Sequence, residues 1–122
     1  MKILLVDDEV DFVSALSERL SLRGIDADWV SRPEDAVIRV EQHAYDIAIL
    51  DVKMPRLSGI DLKAKIQALS PETKFIFLTG HGSEKDFIAG KSISEFYLIK
   101  PVQIDDLVEK LHAAAGQTGT PS

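Results

Sequence analysis

The chain has 122 residues, 45% of them hydrophobic and 28% charged, with a net charge of −6 and no cysteine. That length suits one domain able to bury about two-thirds of its unfolded surface, with no room for a second. The composition excludes an intrinsically disordered chain, a disulfide scaffold, a thiolate metal site and a cysteine nucleophile, and the acidic balance argues against direct nucleic-acid binding or attraction to an anionic membrane.

Taken in chain order, Ile3 to Val6 is a short, continuous apolar run, as expected of a parallel strand buried on both faces. It is too short for a signal peptide or a membrane span, so the expectations are a cytoplasmic location and no membrane partner. With no turn residue between, it runs into Asp7-Asp8-Glu9. Residues 11 to 23 place Phe12, Leu16 and Leu20 on one helical face, and Gly24 supplies the stop. Asp26 to Val30 alternates, with Ala27 and Trp29 against Asp26 and Asp28, which predicts an edge strand with one wet face. Ser31 with Glu34 forms a candidate capping box, and Pro33 in the first turn supports a helix to Gln42 with Ala36, Val37 and Val40 inward.

Ile47 to Leu50 is a second buried run and ends at Asp51. Ser58 can cap a third helix reaching Leu69, with Leu62, Ile66 and Leu69 inward and Pro71 breaking the pattern. Phe75 to Leu78 reads as a strand followed by Thr79. Glu84 to Lys91 is a poor helix, because Gly90 lies inside it and apolar positions repeat weakly. Phe96 to Ile99 is the last strand and Lys100 follows it; Asp105 or Asp106 begins a final helix carrying Leu107, Val108 and Leu111. Residues 116–122 are small and polar and read as a flexible tail or the start of a linker, leaving 1–115 as the domain. Met1 directly before the first strand suggests the natural amino terminus. Strands alternating with helices predict an α/β fold, a doubly wound parallel sheet of five strands flanked by five helices with right-handed crossovers.

In an open sheet of this kind ligands bind beyond the carboxyl ends of the strands. The residues that end the apolar runs there are Asp7 and Asp8, Asp51, Thr79 and Lys100. Singly, each has a plain structural role: a solvated acidic loop, a turn cap, a loop threonine, a lysine reaching for water. Together they describe a narrow chemistry. Three close carboxylates repel one another and favour a divalent cation with oxygen ligands, Mg²⁺ above all. A carboxylate beside such an ion can attack phosphorus to give an acyl phosphate, and a hydroxyl and an ammonium can then neutralise the phosphoryl oxygens.

The stretches "LLVDDE", "AILDVKMPRLSG", "IFLTGHG" and "FYLIKP" resemble, in order and spacing, the motifs of response-regulator receiver domains, the phosphoacceptor modules of two-component signalling. The resemblance covers residues 2 to 114. It implies a flavodoxin-like strand order of 2-1-3-4-5. It also implies Asp51 as the phosphorylated residue, modified to 4-aspartylphosphate by a histidine kinase or a histidine phosphotransfer protein. Asp8 is then the direct Mg²⁺ ligand, Asp7 acts through water, and Lys53 offers its backbone carbonyl. Thr79 and Lys100 meet the phosphoryl group, Thr79 and Tyr97 form the switch, and Pro101 follows a cis bond. Such a domain catalyses only its own phosphorylation and dephosphorylation. Its partners, besides the phosphodonor, are an output domain or effector protein and a second receiver in a homodimer. Lys53 and His81 flank the path of hydrolytic water in the family; Lys53 is expected to hold or shield the phosphoryl group and His81 to be a solvated loop residue. Gly90 to Glu95 departs from the family pattern, which predicts a short or irregular helix before the last strand.

Three other readings stand beside this one. A haloacid-dehalogenase-type phosphatase would want a second aspartate where Lys53 stands. A flavodoxin-like cofactor binder would want a phosphate loop, not Asp7-Asp8-Glu9, after the first strand. A phosphorylation-independent interaction domain would be expected to have lost part of the acidic set.

Overall fold

The computed structural model of the chain describes residues 1–54, 57–80 and 96–116. Its elements are β1 (Lys2–Val6), α1 (Val10–Leu22), β2 (Asp26–Val30), α2 (Pro33–Gln42), β3 (Ile47–Asp51), α3 (Gly59–Leu69), β4 (Lys74–Thr79), β5 (Phe96–Ile99) and α4 (Ile104–Ala115). The five strands form one sheet in the order β2-β1-β3-β4-β5, and all neighbours are parallel. Four helices lie among the described residues where five were expected. The segments at Glu84 to Lys91 and Gly90 to Glu95, together with His81 and residues 117–122, lie outside the described residues.

The central strands are buried on both faces, and the period of two assigns alternate residues to two separate cores. Leu4, Val6, Ala48, Leu50, Phe75 and Phe77 meet Ala36, Val40, Leu62 and Ile66 of α2 and α3 on one face. Ile3, Leu5, Ile47, Ile49, Ile76 and Leu78 meet Val13, Leu16, Leu20, Leu107 and Leu111 of α1 and α4 on the other. β2 is an edge strand, as its alternation predicts, with Ala27 and Trp29 turned to the second core.

The helix ends explain where each crossover turns. α1 stops in a Schellman motif: Ile25 N–H donates to Leu20 O and Gly24 N–H to Ser21 O, both at 3.0 Å, and Gly24 takes φ +77°. Ser58 caps α3, its Oγ accepting from Asp61 N–H at 3.2 Å.

Four details differ from the sequence reading. The N-cap of α2 is Arg32, one residue after Ser31, without a side-chain cap; Pro33 takes the first helical position and displaces the expected capping box. α4 begins at Ile104 behind Gln103, so Asp105 and Asp106 sit inside the first turn, where their charge faces the positive end of the helix dipole. Leu69 is 46% exposed, as the last residue of α3 before its C-cap Ser70. On α1 Val13 joins Leu16 and Leu20 as a buried position, while Phe12 is half-buried at the rim of the second core.

Candidate functional site

The sheet register brings the polar strand ends together. Val6, Asp51 and Thr79 close three adjacent strands, with Asp51 opposite Leu78 and Thr79 opposite Ile99. Lys100 follows directly and its backbone N–H donates to Thr79 O at 2.7 Å. The Lys100–Pro101 peptide is cis, as the resemblance implies. Asp7, Asp51 and Thr79 are buried, Asp8 is exposed, and the Lys100 side chain retains 17% exposure. All five strand-end residues therefore share one edge.

Asp7, Asp8 and Asp51 each offer a carboxylate oxygen, and these atoms lie within 4.8 Å of one another. Such a convergence of hard, anionic oxygens suits Mg²⁺. Lys100 Nζ stands 2.8 Å from Asp7 Oδ2, an ion pair made without hydrogen-bond alignment, and 3.6 Å from Asp51 Oδ2. Thr79 Oγ1 is buried and has no hydrogen-bond partner among the described residues. Because an unpaired buried hydroxyl is costly, the position is one that a further oxygen ligand would complete.

The electrostatics follow from burial and like charge. The Asp51 carboxyl is pushed up to about 7, first by burial, then by the charges of Asp7 and Asp8, with Lys100 and the Lys53 N–H acting in opposition. Burial also raises Asp7, against the pull of Lys100 and of the Glu9 N–H, which donates to Asp7 Oδ1 at 2.9 Å. Burial works against the Lys100 ammonium, yet Asp7, Glu9 and Asp51 outweigh it and hold the group above the ordinary lysine range. A divalent cation at the carboxylates would relieve the repulsion that raises Asp51.

Tyr97 lies two residues before Ile99 on β5, half-buried against the first core and opposite Phe77. Lys53 is exposed and its backbone N–H faces Asp51. Three further residues belong to the site and were not foreseen. Gly59, at the start of α3, donates its N–H to Val52 O at 2.9 Å, and a Cβ there would overlap the Asp51 carbonyl oxygen and lie 2.9 Å from its carbonyl carbon. A glycine directly after a helix cap is the signal that would have found it. Glu9 is the N-cap of α1, and its Oε1 accepts from Lys100 Nζ at 2.7 Å. Phe12 completes the surroundings of that ammonium, with its ring centroid 4.9 Å from Nζ.

Residues 3–112 match the family described as the response regulator receiver domain. Over 114 residues the chain is 32% identical to the two-component response regulator PhoP of Pseudomonas aeruginosa, covering 93% of this chain and 51% of that protein. It is 34% identical over 113 residues to the transcriptional regulatory protein CpxR of Klebsiella pneumoniae, covering 92% of this chain and 48% of that one. The chain thus spans about half the length of these curated relatives. Among solved structures, a response regulator receiver domain protein from Clostridium thermocellum superposes with a TM-score of 0.85 at 30% identity, covering 97% of this chain and 96% of that one. The response regulator TrrA of Thermotoga maritima, solved in complex with Mg²⁺ and BeF, superposes with a TM-score of 0.80 at 30% identity, covering 93% of this chain and 97% of that one.

Proposed function

The chain belongs to the response regulator receiver family, and from that premise we propose that Asp51 is its phosphoacceptor, charged by a histidine kinase or a histidine phosphotransfer protein. The observation that carries this reading is the edge itself: Asp51 beside Asp7 and Asp8, with the Thr79 hydroxyl, unpartnered among the described residues, and the Lys100 ammonium at the neighbouring strand ends.

Asp7, Asp8 and Asp51, with the backbone carbonyl of Lys53, would hold Mg²⁺, which when bound supplies positive charge to the carboxylates and the incoming phosphoryl oxygens. An Asp51 carboxylate oxygen forms the new bond to phosphorus while the bond from phosphorus to the donor's leaving atom breaks, so the donor departs with that electron pair. Lys100 and the Thr79 hydroxyl then neutralise oxygens of the acyl phosphate. Movement of Thr79 toward the phosphoryl group frees space that Tyr97 can take, and the changed surface alters the binding of an output domain, an effector protein or a second receiver. The Lys53 side chain, two residues after Asp51 and exposed, would hold or shield the phosphoryl group and so slow its hydrolysis. No helix among the described residues is long and apolar enough to cross a membrane.

Intact mass spectrometry after incubation with acetyl phosphate and Mg²⁺ tests the reading. Addition of one phosphoryl group to the parent and none to Asp51→Asn is expected. An unchanged parent mass under conditions where Mg²⁺ binding is observed would leave a phosphorylation-independent interaction domain as the better description.

A further inference from the structure

Within that reading, on which the inference rests, we propose that Glu9 is a positioning residue that restrains Lys100 and limits how much of its ammonium the phosphoryl group receives. Lys100 Nζ is bracketed by Glu9 Oε1 at 2.7 Å and Asp7 Oδ2 at 2.8 Å, with the Phe12 ring on a third side, and it stands farther, at 3.6 Å, from Asp51 Oδ2. An ammonium has three donors, and its two shortest contacts are therefore with carboxylates other than the acceptor. A phosphoryl group on Asp51 must draw Lys100 out of this bracket.

The two arms of the bracket differ in character. Asp7 is buried, with a side chain 1% exposed, and belongs to the carboxylate set that holds the cation. Glu9 has a side chain 62% exposed and lies outside that set. An exposed ion pair contributes little to folding, so its consequence falls on the position of Lys100 rather than on stability. Its carboxylate is joined to the site by a contact spanning 91 residues of chain, from the start of α1 to the end of β5. Glu9 thus couples the first turn of α1 to the availability of the cation that stabilises transfer.

The test is the rate of Asp51 phosphorylation by saturating acetyl phosphate and Mg²⁺, followed by intact mass. Glu9→Gln is expected to raise the maximal rate about two- to fivefold, the range set by loss of a partly exposed ion pair. Asp11→Asn, an exposed acid of the same helix turn, is expected to leave it unchanged and so controls for net charge. In a Lys100→Ala background the gain from Glu9→Gln should vanish, because the residue acts only through that ammonium. A rate for Glu9→Gln equal to or below the parent, a matching gain in Asp11→Asn, or a gain that persists without Lys100 would overturn the assignment. Absence of phosphorylation in the parent itself would instead strike the underlying reading, so the two failures are distinguishable.

Discussion

At the amino-terminal edge of the sheet, Tyr45 Oη donates to Asp28 Oδ2 at 2.7 Å, Thr73 Oγ1 donates to Tyr45 O at 2.9 Å, and Lys2 N–H donates to Asp46 Oδ2 at 2.7 Å. At the carboxyl edge of the same strands, Thr79 Oγ1 has no partner among the described residues, Asp51 is pushed up by burial and by the charges of Asp7 and Asp8, and Asp7 is raised by burial. Both edges bury polar atoms, but among the described residues only one satisfies them. Polar groups that stabilise a fold are paired in the free protein, whereas groups that await a ligand are left in deficit. The sheet therefore has a structural end and a working end, and substitutions at the two ends should have opposite signatures.

The largest contrast is expected at Asp51. Asp51→Asn should abolish phosphorylation and yet stabilise the cation-free protein by on the order of 2 kcal/mol near pH 7.5, because it removes a buried, repelled charge. The sign follows from the direction of the shift. The folded-state value is about 7 against 3.8 for the unshifted group, so the folded chain holds that proton more tightly than the unfolded one. The resulting stability is fully present below about 3.8 and is lost as pH rises through about 7. Thermal melts in EDTA between pH 5 and 8 should therefore show the parent falling relative to Asp51→Asn as pH increases. Parallel curves would mean that the carboxylate is not held in deficit.

Gly59→Ala comes next. Its Cβ would meet backbone, not a flexible side chain, so α3 must shift away from Asp51. A loss of about 2 to 3 kcal/mol in chemical denaturation is expected, together with slower phosphorylation by acetyl phosphate. A stable variant with normal phosphorylation would show that the approach of α3 does not position Asp51.

Residues such as Gly59 mark where a sequence reading stops. The strands were legible because Ile3 to Val6 or Ile47 to Leu50 carry their own pattern, and the two-core arrangement follows from a period of two that needs no partner to be seen. The common edge of Asp7, Asp51, Thr79 and Lys100 was legible because a parallel sheet aligns strand ends. The caps of α2 and α4 were misplaced by a residue or two, since Pro33 and Ile104 decide between near-equivalent polar candidates only once the helix axes are set. The pairing of Glu9 with Lys100 and the contact of Gly59 with the Asp51 carbonyl depend on distances between elements far apart in the chain, and no local pattern encodes them.

The smallest expected effect separates the two edges most directly, because it uses the same substitution at each. Thr73 and Thr79 are both buried threonines, 4% and 0% exposed. Thr73 Oγ1 donates to Tyr45 O and also lies 2.7 Å from Ser70 Oγ, whereas Thr79 Oγ1 has no partner among the described residues. Valine keeps the shape of threonine and deletes the hydroxyl. Thr73→Val leaves the Tyr45 carbonyl without that donor and should cost about 1 to 2 kcal/mol, while Thr79→Val removes a group already in deficit and should change stability by about 0.5 kcal/mol or less, with any change a gain. Urea unfolding of both variants, with m-values confirming a common unfolded state, measures the difference. Equal losses at the two positions would show that Thr79 is satisfied in the free protein, and the division into a structural and a working edge would not hold for the hydroxyls.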